Sequence, residues 1–309
     1  MAVNYSREMM CAPRQQLEWG FGGRRRFRDG ALLMALFLGG IGAGQFVVST
    51  WLLDYRISAV IGLLFVAVGK SAAHLMYLGR PTRFLRLFLR PKTSWISRGF
   101  IAMIVLCVFG AAYLAPYYGF GWLPWDATTT LGQAILGVAI VAAFIVMIYD
   151  GFVLASCKSI TSWHTMLMPV MFFTYSIAGG IAMTALTSLL GKGLSSDSVS
   201  VESLVSLDSL LLGAMTAFVV FYVVNLATSD TTGKESLRTL MRRRTALIFI
   251  GLAIVAGLLV PMSLSLFHQM GWVTAVANVL LGSSALLELC GDISVRHSIL
   301  KAGLHAPVF

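Results

Sequence analysis

Long apolar stretches alternate with short polar segments along the chain, and this pattern predicts the fold. Eight stretches hold roughly 20 mostly apolar residues each, the length that a helix rising about 1.5 Å per residue needs to cross a hydrocarbon core of about 30 Å. The pattern therefore predicts an all-α integral membrane protein with eight transmembrane helices. The predicted spans are Ala31–Leu53, Ile57–Leu78, Ser97–Pro116, Leu131–Asp150, His164–Leu190, Ser206–Leu226, Thr245–Leu266 and Gly271–Gly291.

Composition supports this fold class and excludes a soluble domain. Of the 309 residues, 58% are hydrophobic and 12% are charged, against roughly 45–50% and about 25% in soluble proteins. The segments between spans are too short for a water-soluble domain, so redox centres or a large substrate site would have to come from a partner protein. No CxxC or CxxCH pair is present, so no metal site is expected at the cysteines, which are Cys11, Cys107, Cys157 and Cys290.

The net charge of +10 is distributed unevenly between the two ends of the predicted spans. An even number of spans places both termini on one side, and twenty of the 23 Lys and Arg residues then lie on that side. Arg56 and Lys192 lie on the opposite side, and Lys70 lies within a span. By the positive-inside rule both termini are predicted to be cytoplasmic. The excess of positive charge therefore indicates the orientation of the protein in the membrane. No nucleic-acid partner is expected.

Ionisable residues inside the predicted spans indicate a polar pocket. Lys70 and His74 lie four residues apart and hence on one helix face, in the half of the second span nearer the basic side. Tyr149 and Asp150 end the fourth span on that side, and Glu288 is predicted near the end of the last span, toward the same surface. Charges at membrane depth usually face a cavity, although snorkelling to the headgroups or pairing with nearby arginines would also account for each one.

The first span contains a run of glycines, Gly39, Gly40, Gly42 and Gly44. Such a run permits close approach of another helix or makes room for a ligand against the backbone. We keep both interpretations for these positions.

The connection between the second and third spans is strongly basic. Its arginines alternate with apolar residues, which predicts an interfacial segment that binds anionic membrane lipid or a docking surface for an acidic protein. The arginines assigned to this surface are Arg80, Arg83, Arg86, Arg90 and Arg98.

Four motifs together resemble the NrfD/PsrC family, the membrane subunits of polysulfide-reductase-like and dimethyl-sulfoxide-reductase-like complexes. They are GGIGAG (39–44), HLMYLGRPTRF (74–84), TSWISRG (93–99) and YDGF (149–152). The resemblance covers the first five spans well, and the remaining chain through hydropathy and span count.

The resemblance implies a haem-free, quinone-reactive anchor in a prokaryotic inner membrane. It implies two four-helix bundles: residues 1–30 form a basic N-terminal segment, 31–190 hold spans one to five with the quinone-site region, and 191–309 hold spans six to eight. The ligand is menaquinone or ubiquinone, contacted by Tyr149 and His74, with Gly40 and Gly44 facing it. Some members carry polar side chains on the first span where this chain has glycines.

Family members partner a four-cluster ferredoxin-like iron–sulfur subunit and a molybdopterin catalytic subunit. Iron–sulfur clusters and molybdopterin are therefore expected only in partners of this chain. The charge distribution places the docking face, around the Arg80 to Arg98 connection, in the cytoplasm.

Quinone reduction takes two electrons and two protons, so the pocket needs hydrogen-bond donors and proton-relay groups. Tyr149 and His74 can donate to the carbonyl oxygens, and Asp150, Lys70 and Glu288 are the predicted relay residues. Quinone-linked proton pumping would add Asn225 in the second bundle.

Two other functions stay open from the residues alone. His74 and His164 lie at similar predicted depth on different spans and would permit one b-type haem. Lys70, Asp150 and Glu288 would alternatively provide the path of a transporter or proton channel.

Overall fold

The structure is a computed structural model that describes residues 23–78, 91–190, 201–270 and 277–304. Helices dominate all four segments. In chain order they are α1 (Gly23–Val47), α2 (Arg56–Leu64), α3 (Ser71–Leu78), α4 (Trp95–Leu114), α5 (Thr130–Ala155), α6 (Leu167–Leu190), α7 (Val201–Thr228), α8 (Thr231–Leu240), α9 (Arg243–Ala246), α10 (Val260–Gln269) and α11 (Ala277–Lys301). Turns of π-helix extend α1 through Val48–Leu52, join α2 to α3 through Phe65–Lys70, and join α9 to α10 through Leu247–Leu259.

Seven helical rods in the described segments are long and apolar enough to cross a membrane, which confirms the first seven predicted spans. Side-chain caps begin α4, α5 and α8, and at the start of α8 the Gly233 N–H donates to Asp230 Oδ1 (2.8 Å). The Ser97 N–H donates to Ser94 Oγ (3.4 Å) at the start of α4, and the Gly132 N–H donates to Thr129 Oγ1 (3.1 Å) at the start of α5. The rods are Asp29–Leu52, Arg56–Leu78, Trp95–Tyr118, Thr130–Ala155, Leu167–Leu190, Val205–Thr228 and Arg243–Gln269.

Helix α11 corresponds to the predicted eighth span, but its bounds differ from the prediction. It continues to Lys301, ten residues beyond the predicted end at Gly291, so Glu288 lies near its middle and not near its end. Arg296, which the charge distribution placed in the surface excess, is 2% exposed. Arg296 pairs with Asp292 one turn earlier, which allows both charges to lie inside the bundle.

Buried apolar side chains form two large clusters. One draws on the helices from α1 to α5 and includes Phe46, Leu106 and Ala143. The other draws mainly on α6, α7, the 247–259 turns and α11, and includes Met171 and Leu212. The arrangement as two four-helix bundles, with both termini on one side, stays a prediction.

The glycine run of α1 packs against two neighbouring helices. A Cβ on Gly44 would lie 1.9 Å from the Ser176 carbonyl oxygen of α6. A Cβ on Gly42 would lie 2.7 Å from the Gly62 carbonyl oxygen of α2. Because only a hydrogen fits at these two positions, the backbones approach closely, and α1 lies between both partners.

Candidate functional site

A cavity of about 620 Å³ opens at the end of the bundle where α1 begins and where α5 connects to α6. Its walls are mainly apolar, and its polar side chains come from α1, α3 and α5, as expected for a pocket that holds a largely apolar ligand with a few polar atoms. Apolar residues in the wall include Leu32, Leu36, Phe100, Met103 and Trp163, and the polar ones include Asp29, His74, Tyr77, Tyr149 and Asp150.

The innermost polar group at this cavity is an ion pair between Lys70 and Asp150. Lys70 Nζ lies 2.8 Å from Asp150 Oδ2, and the two side chains are 0% and 5% exposed. Lys70 Nζ also donates to the Ala35 carbonyl oxygen of α1 at 3.1 Å. Gly39 makes room for this lysine, since a Cβ there would lie 2.4 Å from Nζ. The lysine and the carboxylate are therefore held as a fixed pair.

Tyr149 and His74 meet directly beside the ion pair. His74 Nε2 lies 3.4 Å from the Tyr149 hydroxyl, and Lys70 Nζ lies 4.8 Å from the centre of the tyrosine ring. Gly99 of α4 cradles that ring, because a Cβ at this position would lie 2.1 Å from Tyr149 Cδ2. The glycine of the TSWISRG motif thus sets the position of the tyrosine in the YDGF motif.

Two adjacent residues of α5 contact two residues that lie four positions apart on the neighbouring rod, Arg56–Leu78. Asp150 pairs with Lys70, and Tyr149 contacts His74. The cavity therefore presents a hydroxyl and an imidazole at its wall, with a carboxylate and its counter-cation behind them. Such a set can donate hydrogen bonds to a carbonyl oxygen and exchange protons with it.

The other predicted ligand contacts lie elsewhere. Gly40 faces α6 and α11, where a Cβ would lie 2.5 Å from Ser176 Oγ, and Gly44 faces the α6 backbone. The structure places both glycines in helix packing, apart from the residues that line the cavity. Glu288 lines a second cavity with the first turns of α7 and the end of α10, at the opposite end of the bundle from Lys70 and Asp150.

Four of the five predicted docking arginines lie outside the described residues: Arg80, Arg83, Arg86 and Arg90. Arg98 is exposed at the start of α4. Its guanidinium stacks over the Trp95 ring at 4.5 Å and donates to the carbonyl oxygens of Pro91 (2.9 Å) and Lys92 (2.7 Å). Arg98 therefore shapes the turn that enters α4.

The two histidines of the haem alternative occupy different surroundings. His74 lines the cavity, whereas His164 lies before α6 in an exposed turn, with Nδ1 2.6 Å from the Ala155 carbonyl oxygen. Within the described residues, no group of three or more His, Cys, Asp or Glu side chains is arranged to hold a metal ion.

The sequence reasoning missed a second buried ion pair. Arg296 Nε donates to Asp292 Oδ1 at 2.6 Å, and its Nη1 donates to the Leu36 carbonyl oxygen at 3.1 Å. Opposite charges four residues apart near the predicted span were the available signal. Lys70 and Arg296 thus bind consecutive carbonyl oxygens of α1, those of Ala35 and Leu36.

A buried hydroxyl network was also missed. Ser58 Oγ lies within hydrogen-bonding distance of Gln45 Nε2 (3.0 Å), Ser49 Oγ (2.7 Å), Thr187 Oγ1 (3.1 Å) and Thr184 Oγ1 (3.3 Å). These residues join α1, α2 and α6 in the half of the bundle away from the cavity. Single hydroxyl side chains in apolar helices carry too weak a pattern to predict this network.

The fold and the cavity define a membrane protein of several apolar helices with a charged pocket enclosed at one end. A match to the family described as polysulphide reductase, NrfD, covers residues 29–307, and the chain belongs to this family. NrfD-family proteins are membrane subunits of oxidoreductase complexes.

A curated relative matches part of the chain. The chain is 27% identical over 141 residues to a sulfite dehydrogenase subunit of Allochromatium vinosum. The matched region covers 42% of this chain and 42% of that relative. The chain thus spans less than half the length of the relative that it matches.

Proposed function

We propose that this chain oxidises or reduces a membrane quinone, menaquinone or ubiquinone, in the cavity beside Tyr149 and exchanges the electrons with an iron–sulfur subunit. One observation carries the proposal. The hydrogen-bonding pair of Tyr149 and His74 lies beside the ion pair of Lys70 and Asp150, at one wall of an apolar cavity of about 620 Å³. Apolar walls suit a quinone ring, and the polar end suits its carbonyl oxygens.

The four residues divide the chemistry among them. In quinol oxidation, one quinol loses two electrons and two protons and becomes a quinone. Tyr149 and His74 hold the oxygen atom at the cavity wall. The His74 imidazole accepts one proton, and the Asp150 carboxylate behind it accepts the other. Lys70 stabilises the carboxylate and fixes its position. The electrons leave to the partner's clusters, and reduction runs the same steps in reverse.

We further propose that an iron–sulfur protein and a molybdopterin-containing catalytic protein bind this chain on the cytoplasmic side. The cavity lies at the end of the bundle that adjoins the basic connection between α3 and α4. An acidic partner surface would complement that connection. The described residues form helices and short connections, so the clusters would belong to the partner.

Substitutions at the cavity wall should separate quinone chemistry from partner chemistry. Tyr149→Phe and His74→Ala each remove a hydrogen bond to the quinone, worth about 1–1.5 kcal/mol, so quinone-linked turnover should fall about tenfold. Activity of the purified complex with a soluble dye at the iron–sulfur partner should stay unchanged. Steady-state assays with both electron acceptors, on the same preparations, measure the two activities.

Tyr118→Phe is the matched control, because this exposed tyrosine lies at the other end of the bundle. It should leave both activities at the wild-type level. Unchanged quinone turnover in both cavity variants would refute the proposed site. Equal loss of the two activities would instead indicate damaged assembly and would be visible as loss of the partner proteins on purification.

A topology measurement tests the proposed side of the membrane. A reporter active only outside the cytoplasm should give no signal when fused after Phe309, because the basic side carries the C-terminus. The same reporter inserted at Gly121, between α4 and α5, should give a strong signal. The reverse pattern would show that the charge distribution does not set the orientation.

A further inference from the structure

Two carboxyl groups meet in a second cavity between α6, α7, α10 and α11. Asp208 comes from α7 and Glu288 from α11, and the residues are 8% and 4% exposed. Both side chains line this one cavity. Glu288 Oε1 accepts from Ser284 Oγ at 3.1 Å. One oxygen of each group, Asp208 Oδ1 and Glu288 Oε2, has no hydrogen-bond partner among the described residues.

The surroundings of the pair leave its charge uncompensated. None of the described residues that line the cavity is a lysine or an arginine, and α6 contributes only Ile181, Ala182 and Ala185. His268 of α10 is the other titratable residue in that lining. The next charges along α11 are Asp292 and Arg296, which neutralise each other. Two adjacent carboxylates in such an apolar interior are strongly disfavoured.

Protonation of one carboxyl group would remove the repulsion between the two buried carboxylates. The cavity leaves about 30 Å³ for the centres of water molecules, so water has room beside the two carboxyl groups. If one carboxyl group is protonated, its O–H can donate to the carboxylate beside it, and the pair then carries a single negative charge. We propose that Asp208 and Glu288 form a proton-binding site that holds one proton between two carboxyl groups.

A polar stripe along α11 connects this site with the ion pairs of the quinone cavity. Ser284, Glu288, Asp292 and Arg296 follow one another at four-residue intervals and therefore lie on one helix face. Arg296 at the end of the stripe binds the carbonyl oxygen of Leu36, and Leu36 lines the quinone cavity. The stripe thus extends from the proton-binding site to the cavity wall. This functional connection rests on the proposed quinone chemistry, whereas the proton-binding site does not.

Infrared spectroscopy of the purified protein in detergent tests the shared proton directly. At neutral pH the wild type should show the carbonyl stretching band of a protonated carboxylic acid, which shifts in heavy water. The double variant Asp208→Asn/Glu288→Gln should lack this band, because amides keep the shape of both side chains and hold no such proton. Acidification should about double the intensity of the same band in the wild type, as the second carboxyl group takes up a proton.

Glu235→Gln is the matched control, since Glu235 is an exposed carboxylate on α8 that pairs with Arg238. It should leave the band unchanged. A wild-type spectrum identical to that of the double variant would overturn the proposal, as would loss of the band on addition of sodium ions, which would identify a sodium site. An elution profile like that of the wild type in size-exclusion chromatography shows that the double variant is folded.

Addition of a reduced quinone analogue tests the connection to the cavity. If the stripe couples the two sites, the band should shift in the wild type, and Tyr149→Phe, which retains Asp208 and Glu288, should need about tenfold more of the analogue for the same shift. A band that is present and unaffected by quinol would overturn the connection alone. If the wild-type complex does not turn over quinone but shows the band, the proposed function would be wrong and the proton-binding site would be unaffected.

Discussion

Replacing Asp150 with alanine should destabilise the protein more than any other single change at the cavity. The substitution leaves the Lys70 ammonium buried, with its carboxylate partner removed. Removing one partner of a buried ion pair typically costs about 3–5 kcal/mol, because the remaining charge is uncompensated. We expect a large fall in the thermal unfolding midpoint of the detergent-solubilised protein, followed by the fluorescence of its tryptophans.

The double variant Lys70→Met/Asp150→Leu separates stability from chemistry. Replacing a buried ion pair by apolar residues of similar volume is often neutral or stabilising, so the midpoint should recover toward the wild-type value. Quinone-linked turnover should not recover, since no carboxylate accepts the proton. Recovery of turnover with stability would show that Asp150 has only a structural role.

Arg238→Met provides the control for removing one charge of a pair. Arg238 and Glu235 lie 3.1 Å apart on the surface of α8, with side chains 78% and 49% exposed. Such exposed pairs contribute about 0–1 kcal/mol, so the midpoint should scarcely move. A shift as large as that of Asp150→Ala would mean that burial does not determine the effect.

Gly44→Ala should prevent α1 and α6 from packing at their native distance. The new Cβ would lie 1.9 Å from the Ser176 carbonyl oxygen, and a backbone cannot rotate aside as the end of a side chain can. Added methyl groups in tightly packed cores cost about 1–3 kcal/mol and sometimes more. We expect a lower yield of folded protein and a lower unfolding midpoint, measured by size-exclusion chromatography and thermal unfolding.

The same substitution at Gly137 is the control. Gly137 lies on α5 with no atom within 4 Å of a built Cβ, so alanine has room. Alanine also favours the helix over glycine by about 1 kcal/mol in soluble hosts, so Gly137→Ala should be neutral or slightly stabilising. A loss of folded protein at Gly137 comparable with that at Gly44 would contradict the packing explanation.

Hydrophobic patterning was sufficient to predict seven spans, and the ionisable residues inside them indicated that Lys70, His74, Tyr149 and Asp150 lie at one end of the bundle. Helix length and apolarity are local properties, and the four-residue spacing of Lys70 and His74 fixes their common face. The adjacency of Tyr149 and Asp150 places both beside that face once the two rods pack together. The chemistry at the cavity wall therefore depends on short-range sequence relationships.

The features that the sequence did not reveal depend on distant partners. Position along the chain predicts a surface location for Arg296, and its burial depends on the Leu36 carbonyl oxygen, 260 residues away. The depth of Glu288 depends on how far α11 continues, and α11 extends past the buried Asp292–Arg296 pair to Lys301. The assignment of Gly40 to helix packing depends on Ser176 and Arg296 lying opposite it. Residue spacing signals the Asp292–Arg296 pair, but it carries no information about the contacts of Arg296 with Leu36 and of Gly40 with Ser176.

The two cations on consecutive carbonyl groups of α1 have a mechanical consequence. Lys70 approaches the Ala35 oxygen and Arg296 approaches the Leu36 oxygen, and their carboxylate partners belong to α5 and α11. Sliding α1 along its axis by one residue, about 1.5 Å, would stretch both contacts at once. These contacts fix the position of α1 along its axis relative to α5 and α11. A sliding movement of α1 would have to break both cation contacts together.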